Sequence, residues 1–153
     1  MLLVWKDQFA VDNGVIDHDH KVLIDRINKV LQTLTAQPTA EELLKDFYSL
    51  RLHAEFHFKR EEHLQALAGF PALAEHAAEH REMLAELDAL LEELEALPSA
   101  APVLDTRKKK AFLYYWFLHH LLDTDQMIKP YLEKLEGSHE AILERFSRSQ
   151  KAG

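Results

Sequence analysis

Seven side chains that can bind a metal through nitrogen or oxygen, His20, His57, Glu61, His76, His80, His120 and Asp125, fall in four separate helix-like stretches, at least one in each. Their spacing matters more than their number. His57 with Glu61, and His76 with His80, are four residues apart, so each pair shares a helix face and can present two ligands to one point. His120 and Asp125 are five apart, a wider angular step that suits a carboxylate reaching across to a second ion. Imidazole and carboxylate without sulfur fit iron, manganese or zinc. Carboxylate-bridged two-metal sites on facing helices are usually richer in carboxylate than this set of five His and two acids. The balance favours binding of a small ligand over strongly oxidising chemistry.

The chain holds ten histidines, so each competes with its neighbours for these roles. An isolated His is more often a surface residue or a core imidazole satisfied by a carbonyl. His119 adjoins His120 but points about 100° away around the helix, which makes it a poor substitute. His53 lies one turn before His57 and is a candidate donor behind it. His18, His63 and His139 read as surface or terminal residues, and Glu62 is expected to face away from the site.

These residues need helices to hold them, and the composition supplies helices. With four Gly and five Pro in 153 residues, and heavy use of Leu, Ala, Glu, Lys and Arg, the expectation is an all-α protein. The length fits one domain, 1–153. Residues 1–16 form an arm around the turn-forming pair Asn13-Gly14. Asp17, as N-cap, opens a first helix over about 18–36. Thr39 and Glu42 make a capping-box pattern for a second over about 40–68. Pro71 can sit in the first turn of a third over about 71–97. A fourth runs over about 103–135, with Pro130 as an end or kink, and a C-terminal helix follows over about 138–149. Four long helices with short connections pack as an up-down-up-down four-helix bundle with a non-helical N-terminal arm and a short C-terminal helix.

A net charge of −8 argues against general affinity for nucleic acid or anionic lipid. The short basic run Arg107 to Lys110 reads as solvated surface. The absence of cysteine excludes disulfides, thiolate ligands and thiol catalysis. Lys6 and Asp7 come too early for the apolar region of a signal peptide, and no apolar run approaches a membrane span. The expected location is the cytoplasm.

The motifs Ile16-Asp17-x-x-His20-Lys21, His57-Phe58-x-x-Glu61-Glu62, His76-x-x-x-His80 and Trp116-x-x-x-His120-x-x-x-x-Asp125, with the Trp5 to Phe9 arm, occur together in order. In this set the chain resembles the bacterial hemerythrins, single-domain non-heme di-iron proteins. The resemblance implies reversible dioxygen binding for storage, delivery or sensing, and no enzymatic activity. It implies two iron ions bridged by Glu61, Asp125 and a solvent-derived oxo or hydroxo group. His76, His80 and His120 would hold one iron, and His20 and His57 the other, which keeps an open position. Phe58, Trp116, Phe117 and Leu121 are the candidate apolar walls of the ligand pocket. The resemblance names no protein partner and no oligomeric state.

At Gln65 the chain departs from the family, which often carries Met there, a change expected to affect local packing more than metal binding. The tail after Gly137 matches no family motif. One alternative is a di-iron enzyme acting on peroxide or nitric oxide, or an iron-centre repair protein, although repair proteins generally use a second bridging Glu where this chain has Asp125. Another is a metal-free or zinc-bound interaction bundle.

Overall fold

In the computed structural model, residues 2–134 are described, apart from the side chains of residues 123–125. The helices are α1 (Val15–Thr35), α2 (Ala40–Leu67), α3 (Leu73–Glu95) and α4 (Thr106–His119). Short connections make successive helices antiparallel. α1 packs on α2 and α4, and α2 on α3, which gives the four-helix bundle. The arm contains a single 3-10 turn, Asp7–Phe9. Leu3 and Phe9 are buried, and paired bonds between the Leu3 backbone and the Asn28 amide, both 2.8 Å, strap the arm to α1.

α1 starts earlier than the sequence pattern indicates, because Asp12 and not Asp17 supplies the capping oxygens. The Asp12 carboxylate accepts from the amides of Gly14 (2.9 Å), Ile16 (3.0 Å) and Asp17 (3.1 Å), which satisfies first-turn donors that have no partner inside the helix. Asn13, at φ 53°, turns the chain so that this carboxylate reaches them. Asp17 is buried one turn in and accepts from the amides of Val11 and Asn13, both at 2.8 Å.

The expected capping box opens α2, with Glu42 N–H donating to Thr39 Oγ1 (3.3 Å) and Thr39 N–H to Glu42 Oε2 (3.1 Å). α2 closes in a Schellman motif: Gly69, at φ 67°, donates to Ala66 O (3.2 Å) and Phe70 to Gln65 O (3.0 Å). Phe70 then packs into the same apolar cluster as Leu64. α3 starts two residues after Pro71, which sits in the preceding turn. Far from these ends, Val103 N–H donates to Pro38 O (3.1 Å) and Ala40 N–H to Ala101 O (2.9 Å). These bonds tie the chain before α4 to the start of α2, and Asp105 turns through the left-handed region at φ 54°, so α4 begins at Thr106 and not near Val103.

The larger departure is at the other end of α4. The helix, expected to run on to an end or kink at Pro130, stops earlier at His119, passes through a π turn over His120–Thr124 and a 3-10 turn over Asp125–Ile128, and resumes as helix over 129–134. A π turn closes i→i+5 bonds, so backbone positions five apart come nearly into line along the axis. His120 and Asp125 are such a pair. The expected C-terminal helix over 138–149 lies outside the described residues.

Two apolar clusters fill the bundle. The larger includes Leu23, Ile27, Leu31, Phe47, Phe58, Leu87, Leu113 and Phe117. The smaller includes Val11, Ile16, Leu64, Phe70, Ile128 and Leu132. Along the chain, His20, Glu61 and His76 fall between members of the two clusters on each of α1, α2 and α3. A polar layer therefore sits between two dry ones.

Candidate metal centre

Each helix contributes to that layer for a local reason. His20 is one turn past Ile16 on the inner stripe of α1; His57 and Glu61 continue the stripe of α2 after Leu50 and Ala54; His76 and His80 lead that of α3 before Met83 and Leu87. His120 follows the last residue of α4 and opens the wider turn. All six are buried, at 3% exposure or less.

Glu61 is the hub. Its Oε2 lies 3.0 Å from His57 Nε2 and 3.5 Å from His20 Nε2, and its Oε1 lies 3.2 Å from His80 Nε2, 3.4 Å from His76 Nε2 and 3.8 Å from His120 Nε2. One carboxylate thus separates two imidazoles from three. Two overlapping sets, His20, His57, Glu61 and His120, and Glu61, His76, His80 and His120, each gather ligand atoms within 4.8 Å of one another. Glu61 and His120 belong to both. The side chain of Asp125, the other carboxylate expected to bridge, lies outside the described ones.

The donor set fits a metal pair on two physical grounds. First, Glu61 Oε2 and His80 Nε2 are fully buried and, with polar neighbours at 3.0 and 3.2 Å, still make no well-aligned hydrogen bond, an expensive arrangement for atoms that have no other use. Second, burial alone would raise the Glu61 pKa, but the His57 charge, with His20 and His80 close by, overturns this and holds the group well below the usual carboxylate range. The hub is an anion. A buried anion ringed by imidazole nitrogens is the electrostatic preparation that divalent cations require.

Behind the ligands stands a layer of acceptors that the sequence reading missed in part. Asp19 Oδ2 lies 3.3 Å from His57 Nδ1, and Arg60 Nη1 donates to Asp19 Oδ1 at 3.2 Å. Burial raises the Asp19 carboxyl, but the bond to His57 and the charges of His57 and Arg60 hold it below its ordinary value. Glu62, expected to face away, lies with Oε2 3.0 Å from His80 Nδ1. It does turn about 100° from Glu61, but the imidazole cluster is broad enough that its outer rim reaches that face of α2. Gln65, expected to act on packing, is fully buried with its side-chain amide against His76 Nδ1. The signal for all three was available as adjacency: each lies one or four residues from a ligand.

The other histidines settle as their spacing indicated, except one. His53 is not behind His57; its Nδ1 lies 2.8 Å from the Ser49 carbonyl of its own helix. His18, His63 and His119 are exposed, and His139 lies outside the described residues. The basic run is not uniform surface either. Lys109 is buried, and its ammonium donates to Glu93 Oε1 (3.2 Å) and Leu104 O (3.0 Å).

Of the expected pocket walls, Phe58 stacks on His80 with ring centroids 4.1 Å apart and planes 8° apart. Phe117 packs edge-on to His20 (5.7 Å) and beside His120 (6.0 Å). Leu121 is fully buried in the larger cluster. Trp116 stands further out, at the seam of α3 and α4, where its indole N–H donates to Met83 O at 3.3 Å. It lines a groove of about 320 Å³ shared with Glu79, Glu82, Glu86 and His120.

Fold and site together define a helical bundle with a buried, multi-histidine, carboxylate-centred metal site. Comparison with known proteins carries this further. The Hemerythrin HHE cation binding domain family matches residues 12–132. The chain belongs to that family, and its hemerythrin and bacteriohemerythrin relatives are oxygen-binding proteins of the non-heme iron class rather than enzymes. It is 26% identical to a bacteriohemerythrin of Clostridium acetobutylicum, over 82% of this chain and 97% of that protein. A bacteriohemerythrin of Methylococcus capsulatus is 27% identical over 86% of this chain and 97% of its own length. Among solved structures, wild-type hemerythrin superposes with a TM-score of 0.75 at 27% identity, covering 86% of this chain and 98% of that one. No helix among the described residues is long and apolar enough to cross a membrane.

Proposed function

We propose that the chain binds dioxygen reversibly at a two-iron centre held by His20, His57, Glu61, His76, His80, His120 and Asp125, and serves oxygen storage or delivery. The observation that carries this reading is the buried Glu61 carboxylate, with one oxygen facing His20 and His57 and the other facing His76, His80 and His120. In this reading His76, His80 and His120 would hold one iron and His20 and His57 the other, with the Glu61 and Asp125 carboxylates shared between them. The iron pair, when bound, supplies the electrons that make dioxygen binding both tight and reversible.

The chain supplies the rest. Asp19 and Glu62 accept the Nδ1–H of His57 and His80, which points each Nε2 inward as a neutral ligand. Phe58 and Phe117 close the apolar side of the layer and keep water and protons from it. Five imidazoles with few acids add little negative charge, which disfavours strongly oxidising chemistry.

An optical spectrum recorded under alternating argon and air, paired with an iron count, tests this. The expected result is two irons per chain and an absorption band that appears in air and vanishes under argon through repeated cycles. One-way oxidation on first exposure to air, with no reversible band, would overturn it.

A further inference from the structure

Three ligand imidazoles have an identified neighbour at Nδ1, and the three neighbours are not alike. His57 has the Asp19 carboxylate, His80 the Glu62 carboxylate, and His76 the neutral amide of Gln65. Gln65 is fully buried. Its backbone is fixed, because its carbonyl accepts the Phe70 N–H of the Schellman motif at 3.0 Å. One turn past Glu61 on the same face of α2, its side chain has little freedom except to turn its amide over.

We propose that Gln65 is a positioning residue for His76: its amide oxygen accepts the His76 Nδ1–H and so fixes the ring with Nε2 as a lone-pair donor toward a metal. The inference rests on the two-metal reading above. An imidazole that ligates through Nε2 must carry its proton on Nδ1, and that proton needs an acceptor in a dry layer. Gln65 is the side chain placed to provide one. As placed, its Nε2 lies between His76 Nδ1 and Glu61 Oε1, the latter at 3.4 Å, while its Oε1 makes no hydrogen bond. A half turn about the last side-chain bond exchanges the two ends, which are nearly identical in shape. The oxygen then meets His76, and the long 3.4 Å bond from the amide to Glu61 Oε1 is given up. An amide can therefore serve either tautomer of His76, as donor to one and acceptor to the other, whereas a carboxylate serves only one.

The amide also adds no charge. Where His57 and His80 are made more basic by carboxylates, His76 is oriented without that push. A third anion here would stand beside Glu61, whose charge the site already has to balance.

The test compares Gln65→Met, which keeps length and removes both hydrogen-bonding ends, with Gln65→Glu, which keeps an acceptor. Metal-free protein is first checked by circular dichroism melting. In the zinc-loaded, diamagnetic protein, proton–nitrogen correlation spectra should show a slowly exchanging His76 Nδ1–H that disappears in Gln65→Met and persists in Gln65→Glu. Release of iron to a chelator should be faster for Gln65→Met by about 10- to 100-fold for one of the two ions, and should return towards the parent rate in Gln65→Glu. A folded Gln65→Met that keeps the His76 signal and the parent release rate overturns the proposal. So does equal loss in both variants. If the unsubstituted protein takes up fewer than two irons, the two-metal reading fails instead.

Discussion

Phe58 lies where packing and function meet, so substitution there separates the two. Its ring is 1% exposed, flat against His80 at 4.1 Å and edge-on to His120 at 5.5 Å. Truncation of a buried Phe to Ala costs about 3–5 kcal/mol, lost ring contacts included, so about 4 kcal/mol is expected for Phe58→Ala. At about 2–4 °C per kcal/mol for a chain of this size, the melting temperature should fall by roughly 8–16 °C. Phe58→Leu keeps most of the volume and should cost about 1 kcal/mol. Urea unfolding of the metal-free proteins at unchanged m-value measures both, without interference from bound metal. In the iron-loaded protein the cavity beside His80 and His120 should admit water and shorten the lifetime of the air-induced absorption band for Phe58→Ala far more than for Phe58→Leu. A Phe58→Ala variant within about 1 kcal/mol of the parent would refute the packing argument. A destabilised variant whose band decays at the parent rate would refute water exclusion by this ring.

Other expectations concern the helix start, the buried lysine, metal removal and pH. Asp12→Ala should lose about 1–2 kcal/mol in urea unfolding, because three amides at the start of α1 lose their acceptor, and Asp12→Asn should recover part of it. Lys109→Ala should cost about 1–3 kcal/mol through lost packing and the stranded Leu104 carbonyl, while Glu93→Gln, whose side chain is 59% exposed, should cost well under 1 kcal/mol in the same assay. Removing metal with a chelator should lower the melting temperature, and at a free-metal concentration a hundredfold above Kd the loaded protein should be more stable by about 2.7 kcal/mol; a melting temperature independent of metal would count against a specific site. Burial and the His20 charge lower the His57 pKa, but the Glu61 carboxylate and the Asp19 bond carry it above its ordinary value. In the metal-free protein this raised pKa stabilises the fold fully below the unfolded value of about 6.5 and no longer once pH has risen through the folded pKa. Metal uptake has the opposite sign, since metal needs the neutral ring. Chelator-competition titrations should therefore show affinity climbing through and above about pH 6.5, and a flat profile would exclude His57 as a ligand.

Much of this was legible before folding. The apolar spacing of Leu23, Ile27, Leu31 and Leu34, and of Leu43, Phe47, Leu50 and Ala54, marks inner stripes that the structure buries. Thr39 and Glu42 cap α2 as their spacing indicates. Six of the seven candidate ligands sit in the polar layer of the bundle, and the seventh, Asp125, has a side chain outside the described ones. What could not be read were features set by neighbours distant in sequence. Residues 103–105 stay out of α4 because Val103 is bonded to Pro38. Lys109 is buried because its stem packs inward while Glu93 and the Leu104 carbonyl hold its head.

The sequence by itself determined which helices form, which face of each is apolar and which ligands share a face, because a helix places residues three and four apart together whatever surrounds it. It could not determine the π turn at His120, the opposed faces of Glu61, or the distinct partners at Nδ1 of His57, His76 and His80. Those depend on where four separate helices bring their side chains, at separations of a few ångströms that only packing sets. Which side chains are candidate ligands was a property of the chain. The division of those ligands around one buried carboxylate belongs to the bundle.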